Sequence, residues 1–194
     1  MAKIYIGLVS TPGLFASIIR RTIKQDYIHV VLGLDPELNE AYSIGRRHPF
    51  VPVISGFEKE EKGKIVRKFP DAKYQIYELE CTDEQREQIE YRLKTDMERR
   101  FRIHYTIIGL PWLLLNKPFY QKNHYTCSSY LARVLEDVGI NLFDSKHFSL
   151  VTPKDFYEYE NKKVIYEGSL RNITDREEIG LIWRLYRKAY INER

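Results

Sequence analysis

Four helix-start signatures divide this sequence into short helices and the β-rich runs between them. Two are Thr-Pro pairs at Thr11 and Thr152, in which threonine can cap a helix and proline can take its first position. Two are capping boxes that begin at Thr82 and Thr174. The intervening runs typical of strands are KIYIGLV, DYIHVVLGL, EAYSIG, KYQIYELEC and KVIYEG. The run HPFVPVISGFEKEEKGKIVRKFP, which prolines and glycines punctuate, is predicted as loop with short strands. Because strands and helices mix without strict alternation, the sequence predicts an α+β fold.

The chain length favours one domain with a terminal extension. The 194 residues, 43% of them hydrophobic, are enough for a single core. We predict a domain over residues 1–170 and a C-terminal amphipathic helical extension over 171–194. The longest apolar run, TIIGLPWLLL, is interrupted by Pro111 and is too short to span a membrane. With no secretory signal found at the N-terminus, we expect a cytoplasmic protein.

Charge and cysteine usage give no support to nucleic acid binding, to a metal site or to a disulfide scaffold. The 31 basic and 27 acidic residues are interspersed, and no aromatic-plus-basic motif predicts a nucleic acid partner. The two cysteines, Cys81 and Cys127, match no metal-binding spacing and do not form a disulfide scaffold. His124 precedes Cys127 by three positions, but zinc needs three or four ligands. We therefore expect no metal and no cofactor.

Cys127 lies at the start of a predicted amphipathic helix, in the run NHYTCSSYLARVLEDVG. The apolar side chains of this run recur at helical spacing, and Gly139 is suited to end the helix. Unpaired N–H groups and the positive end of the helix dipole stabilise a thiolate at this position. The alternative is that Cys127 is a small buried residue with no chemical role.

His29 is the leading candidate for a base that would activate this thiol. It is predicted to lie within a strand, between Ile28 and Val30, where a polar side chain requires an explanation. Strand alternation would place Tyr27, His29 and Val31 on one face. A cysteine at a helix start facing an imidazole on a strand is the papain-like arrangement. The alternative is a structural histidine.

The segments YIHVVLGLD, YSIGRR, SGFEKE, YTCSSYLARVLEDVGI and LVTPKDF, taken together, resemble a known superfamily. They are similar to the circularly permuted branch of the NlpC-type papain-like cysteine amidases and peptidases, the YiiX/YaeF-like proteins. The resemblance covers about residues 3 to 168. In ordinary papain-like enzymes the cysteine precedes the histidine, whereas here His29 precedes Cys127, which is the order that permutation produces. The resemblance implies a papain-like fold with a central antiparallel sheet packed against helices.

The resemblance also implies roles for individual residues. Cys127 matches the nucleophile and His29 the base, while the orienting third residue is expected on the strand that follows the histidine. Glu40 is the first candidate and Ser43 the second, although a shift of one residue in the strand would turn either side chain to the other face. Glu40 could equally be a solvated carboxylate beside a turn. Tyr27 is a candidate second oxyanion donor, or else a core tyrosine.

Two further segments raise the question of lipid contact. Residues 107–115 hold an apolar cluster that could pack in the core, or could form a substrate wall of Trp112 and Leu113 beside the thiol for an acyl chain. Some permuted relatives, including lecithin–retinol acyltransferase-like proteins, handle lipids. In the C-terminal helix, Trp183 with its basic neighbours could contact an anionic membrane, although packing on the domain is the default.

The sequence thus predicts an enzyme and leaves one alternative. The first hypothesis is a cysteine-dependent hydrolase or acyltransferase that forms an acyl-enzyme on an amide, peptide or lipid ester. The second is a catalytically inactive module of the same fold that binds a lipid or a peptide. The substrate, and the choice between hydrolysis and transfer, are not encoded in any motif of the chain.

Overall fold

Eight strands form a single sheet within the part of the chain that the structure describes. The computed structural model describes residues 1–12, 14–47, 55–106, 109–143 and 145–174. The strands are β1 (Ala2–Ser10), β2 (His29–Gly33), β3 (Ala41–Arg46), β4 (Ser55–Lys59), β5 (Lys73–Cys81), β6 (His104–Tyr105), β7 (His124–Tyr125) and β8 (Lys163–Ser169). Their spatial order is β7-β6-β4-β3-β2-β1-β5-β8. Every strand pairing is antiparallel except that of β6 with β7, which is parallel.

Six α-helices accompany the sheet within the described residues. They are α1 (Leu14–Ile23), α2 (Lys62–Lys68), α3 (Asp83–Glu98), α4 (Gly109–Leu114), α5 (Cys127–Asp137) and α6 (Pro153–Glu158). Short 3₁₀ helices cover Arg100–Arg102, Phe148–Leu150 and Leu170–Ile173. A largely antiparallel sheet with helices of this kind confirms the predicted α+β class.

The main core lies between the sheet and the helices α3 and α5. Alternate residues of the strands point to opposite faces, so each strand contributes every second side chain to this core. Ile6 and Leu32 from the sheet are fully buried against Leu93 of α3 and Leu131 of α5. A second, smaller cluster covers other residues of the same strands, including Val31, with Val66 of α2. The sheet is therefore apolar on both faces in its centre.

Local signals place most helix starts correctly. Thr82 and Thr152 both lie in capping boxes, and Pro153 is the first residue of α6, as predicted. Gly139 follows α5 with a φ of 78°, the left-handed conformation that suits glycine after a helix. The prediction at Thr11 differs from the structure, because α1 begins at Leu14 rather than at Pro12.

One segment differs from the sequence prediction, and another lies outside the described residues. The run KGKIVRK, predicted as loop or short strand, forms α2, because burial of Val66 against the sheet outweighs the helix-weakening Gly63. The predicted C-terminal extension falls almost entirely outside the described residues, which end at Thr174. None of the helices within the described part of the chain is long and apolar enough to cross a membrane.

The strand that carries His29 is shorter than expected. β2 begins at His29 instead of extending through Tyr27 and Ile28. Regular alternation therefore does not reach Tyr27, which packs in the main core with Val30 rather than on the face shared by His29 and Val31. The predicted grouping of Tyr27 with His29 is wrong for this reason.

Candidate active site

Cys127 is the first residue of α5, as the sequence predicts. Thr126 caps the helix: its side chain accepts a hydrogen bond from the backbone N–H of Ser129, and the Ser129 hydroxyl accepts one from the backbone N–H of Thr126. The Ser128 hydroxyl donates to the carbonyl of Val151, at 2.7 Å, and ties the helix start to the segment before α6. The sulfur is thus held at a rigid helix N-terminus, where the dipole favours negative charge.

Three polar side chains near Cys127, those of His29, Ser43 and Glu60, lie at diagonal positions on neighbouring strands. Leu32 pairs with Tyr42, so Ser43 falls opposite Val31 on the face that alternation assigns to His29. Glu60 follows β4, and its backbone N–H donates to the carbonyl of Ala41, at 2.8 Å. Residues at diagonal positions on adjacent strands are close enough for long side chains to meet.

The imidazole of His29 is held by a carboxylate and a hydroxyl. Its Nε2 lies 2.9 Å from Oε1 of Glu60 and 3.1 Å from Oγ of Ser43. The Ser43 hydroxyl itself donates to Oε1 of Glu60. A carboxylate can only accept, so Nε2 carries a hydrogen and Nδ1 is the ring nitrogen left for the thiol. Glu60 therefore fixes both the tautomer and the orientation of the ring.

The charges of this group support one another. Burial would raise the pKa of the Cys127 thiol, but the charge and hydrogen bond of His29, with the backbone N–H groups of Val30 and Ser128, lower it. Burial would lower the pKa of His29, whereas Cys127 and Glu60 raise it. Burial would also raise the pKa of Glu60, but His29 and Ser43 lower it. The directions correspond to a thiolate, an imidazolium and a carboxylate in a row.

Cys81 provides an internal contrast. It is also buried and free, at the end of β5. Burial raises the pKa of the Cys81 thiol, the charge of Arg86 opposes the rise, and Asp83 adds to it. A thiol with a raised pKa is a poor nucleophile at neutral pH. The two cysteines of the chain therefore differ in chemistry.

The carboxylate on His29 belongs to Glu60 and not to Glu40, the first candidate from the sequence. The Glu40 carboxylate instead accepts a hydrogen bond from the hydroxyl of Tyr42, at 3.1 Å, and its backbone N–H donates to Asp35. Ser43, the second candidate, does contact the ring. The sequence prediction missed Glu60 because it lies in the acidic and basic run EKEEKGK, which has the composition of a solvated turn. Pairing of β3 with β4 was the signal that could have found it.

Tyr27 does not approach the sulfur with its hydroxyl. That hydroxyl donates to Oε1 of Glu167, at 2.8 Å, and the ring stacks on Tyr157. A different tyrosine lies near the thiol, since burial and the charge of Cys127 raise the pKa of Tyr105. Tyr105 ends β6, beside the parallel strand β7 that leads into Cys127. Sequence analysis passed over Tyr105 because a two-residue strand has no readable periodicity.

The segment predicted as core or substrate wall is largely exposed. Trp112 is 40% exposed and stacks on Phe119, with 5.9 Å between ring centroids. Leu113 is half-buried, while Leu114 and Leu115 are 66% and 65% exposed. The core alternative is wrong for Leu114 and Leu115, whose side chains are exposed to solvent. Ile107 and Ile108 of the same segment lie outside the described residues. Trp112 and Leu113 as a wall beside the thiol stay a prediction.

No group of three or more histidine, cysteine or acidic side chains within the described residues could hold a metal ion. Searches against protein-family models, curated proteins and solved structures found no match to this chain. The geometry of the site is therefore the basis for its proposed chemistry.

Proposed function

We propose that this protein is a cysteine-dependent hydrolase or acyltransferase of the permuted NlpC-type, papain-like class, acting on an amide, peptide or lipid ester. The observation that carries the proposal is the row formed by Cys127, His29 and Glu60. A thiol at a helix start, an imidazole beside it and a carboxylate behind the imidazole are the three parts of an activated nucleophile. The order of His29 before Cys127 agrees with the resemblance found in the sequence.

The reaction follows from the charges of the row. The Cys127 thiolate attacks the carbonyl carbon of the substrate and forms a tetrahedral intermediate. The His29 imidazolium then gives its Nδ1 proton to the leaving nitrogen or oxygen, and the C–N or C–O bond breaks to leave an acyl-thioester on Cys127. Neutral His29 next takes a proton from water, or from an acceptor alcohol or amine, which attacks the thioester and restores the thiolate. Glu60 stays ionised throughout and keeps the ring in place.

The negative oxygen of the intermediate needs donors. The backbone N–H of Cys127 is one, because the first N–H groups of a helix have no partner within the helix. The hydroxyl of Tyr105 is the second in this proposal, in place of Tyr27, whose hydroxyl is engaged by Glu167. A hydroxyl whose pKa is raised remains protonated and can donate throughout the reaction.

The low exposure of Cys127 favours a second candidate. Only 7% of this residue is accessible, so the thiol offers little open surface to a substrate carbonyl. A non-catalytic module that binds a lipid or a peptide on the same fold needs no access to the sulfur. In that case Cys127→Ser would leave ligand binding unchanged, and no substrate would give a covalent acyl-enzyme.

Alkylation of the two thiols separates these candidates. We expect iodoacetamide at neutral pH to modify Cys127 at least about tenfold faster than Cys81, because only Cys127 has a lowered pKa. His29→Ala should remove most of this difference, and peptide mass spectrometry gives both rates in one sample. Cys81→Ala is the matched control that leaves the rate at Cys127 unchanged. Equal and slow labelling of both thiols would contradict the enzymatic proposal and leave the binding module.

A further inference from the structure

Exposed apolar side chains are concentrated in one turn of this protein. Nine large hydrophobic side chains are exposed among the described residues, and four of them fall within residues 112–120. These four, here called the α4 face, are Trp112, Leu114, Leu115 and Tyr120. Single exposed apolar residues need no explanation, but a contiguous group of this kind marks an interaction site.

The backbone that presents the α4 face is well ordered. The N–H groups of Leu115, Asn116 and Lys117 donate to carbonyls of the preceding turn, at distances of 2.9 to 3.1 Å. Asn116 takes a left-handed conformation, with a φ of 52°, and ends the helix. Behind the face, Phe119 anchors the turn through its backbone N–H, which donates to the Ser149 hydroxyl at 3.2 Å. Leu114 and Leu115 are therefore the side chains that point most fully outward. Trp112 stacks on Phe119, and Tyr120 packs against Tyr125 and Phe148, so these two rings are only partly exposed.

The α4 face lies in a stretch with charge of one sign. From Arg99 to Leu135 the chain contains no aspartate or glutamate, although acidic residues are frequent on both sides of this stretch. The same stretch contains six basic residues: Arg99, Arg100, Arg102, Lys117, Lys122 and Arg133. Arg99, Arg100 and Arg133 pair with acidic residues outside the stretch. Lys117 comes two residues after Leu115, and Lys122 comes two residues after Tyr120. An apolar tip flanked by these two lysines complements an anionic surface.

The size of the face argues against a protein partner. Stable protein interfaces use about 20 to 30 residues on each side, many more than one turn supplies. A lipid interface requires much less, because a few leucines and an amphipathic tryptophan or tyrosine can enter the headgroup region on their own. The turn also joins β6 to β7, so both of its ends lead to the site, one through Tyr105 and the other through Tyr125 to Cys127.

From these observations we infer that the α4 face docks on an anionic lipid membrane. Leu114, Leu115 and Trp112 enter the headgroup region, and Lys117 and Lys122 contact the acidic lipids. The connection between β6 and β7, whose ends lead to Tyr105 and Cys127, then lies against the bilayer, so the site would be offered lipid-borne acyl groups. Docking of this kind needs no catalysis and holds whether or not Cys127 is a nucleophile.

Vesicle binding tests the inference directly. The probes are liposomes of phosphatidylcholine alone, and of phosphatidylcholine with about one third phosphatidylserine. The full chain should sediment with the acidic vesicles and bind the neutral ones at least about tenfold more weakly. L114D/L115D should lower the binding to acidic vesicles about tenfold or more, and K117E/K122E should do the same. The matched control V164D/I165D changes two exposed apolar residues of β8 and should bind like the unaltered chain.

The fluorescence emission of Trp112 reports whether the α4 face enters the headgroup region of the membrane. The chain has two tryptophans, so W183F leaves Trp112 as the single emitter. Its emission should shift to the blue with acidic vesicles and not with neutral ones. Absence of vesicle binding, or full binding by L114D/L115D, would overturn the inference. It would also be overturned if R184E/R187E in the C-terminal segment abolished binding while L114D/L115D did not.

One further outcome assigns the α4 face to a different partner. If the chain is a dimer in solution and L114D/L115D is a monomer, the α4 face is covered by a second copy, and membrane docking is overturned.

Iodoacetamide labelling of Cys127 in each variant distinguishes failure of the membrane docking from failure of the proposed enzymatic function. Lost vesicle binding with fast labelling removes only the docking, and retained vesicle binding with slow labelling removes only the enzyme.

Discussion

At the scale of the residue, the row of Cys127, His29 and Glu60 works because each charge compensates the burial of its neighbour. Isolated charges in so enclosed a place would be neutralised by shifts of their pKa. Here the pKa of Cys127 is lowered and that of His29 is raised, so the ion pair exists at every pH between the two values. Activity should therefore rise with pH as the thiol loses its proton and fall again as the imidazolium does. These two limits belong to the coupled pair rather than to either group alone.

Glu60→Gln should raise the pH at which Cys127 becomes reactive. A neutral amide stabilises the imidazolium less than a carboxylate does, so the pKa of His29 falls and that of Cys127 rises. We expect the midpoint of the rate of iodoacetamide labelling against pH to move upward by about one unit. Glu40→Gln is the matched control, because Glu40 bonds Tyr42 and not the imidazole. The assignment of Glu60 fails if Glu40→Gln moves the midpoint and Glu60→Gln does not.

At the scale of the element, the helix that carries Cys127 is tied to α3 by a buried carboxylate. Asp96 is 0% exposed and accepts from Arg92 at 2.7 Å, from Arg99 at 2.7 Å and from the hydroxyl of Tyr130 at 2.8 Å. Tyr130 lies one helical turn after Cys127, so the bond fixes α5 against α3 near its start. A buried carboxylate with three donors is well satisfied, and its removal leaves those donors without this acceptor.

Asp96→Ala should lower the free energy of unfolding by about 3 kcal/mol. The physical reason is that the Tyr130 hydroxyl and parts of two guanidinium groups then lose their acceptor within the core. Urea unfolding followed by circular dichroism measures the change. Asp137→Ala is the control, since Asp137 is exposed and pairs with Arg92 at 3.2 Å and with Arg133 at 2.8 Å. It should change the free energy of unfolding by less than about 1 kcal/mol. Equal losses in the two variants would show that Asp96 does not hold the helices together.

At the scale of the whole molecule, the site exists only because the sheet brings distant segments together. Pairing of β2, β3 and β4 brings His29 and Glu60 together. Cys127 lies later in the sequence, beyond β5 and α3, and β6 and β7 place the start of α5 at the site. No local segment contains two members of the row. The reactivity proposed for Cys127 is therefore expected to be a property of the folded chain.

Unfolding should abolish the difference between the two cysteines. In concentrated guanidinium chloride both thiols return to the same usual pKa of about 8.5, so their labelling rates should become equal within about twofold. The rate ratio followed against denaturant should fall with the same midpoint as circular dichroism. A ratio that persists after the circular dichroism signal is lost would mean that local sequence, and not the fold, activates Cys127.

Several features of the fold could be predicted because they depend on neighbours in the chain. The capping box at Thr82, the Thr-Pro helix start at Thr152, the strand β5 and the helix beginning at Cys127 are each specified within a few residues. Hydrogen bonds between a threonine and the third residue after it need no tertiary contact. Where packing overrides local preference, as for α2 around Gly63, the prediction was wrong.

The sequence by itself determined the class of fold, the helix start at Cys127 and the choice of His29 as its partner. Tertiary structure alone decided that Glu60 rather than Glu40 holds the imidazole, that Tyr105 rather than Tyr27 lies near the sulfur, and that Leu114 and Leu115 face outward. The physical reason is that helix caps and strand periodicity act over a few residues, whereas these three outcomes depend on which strands become neighbours and in which register. A shift of one residue in a strand exchanges its two faces, and no pattern within the strand itself fixes that register.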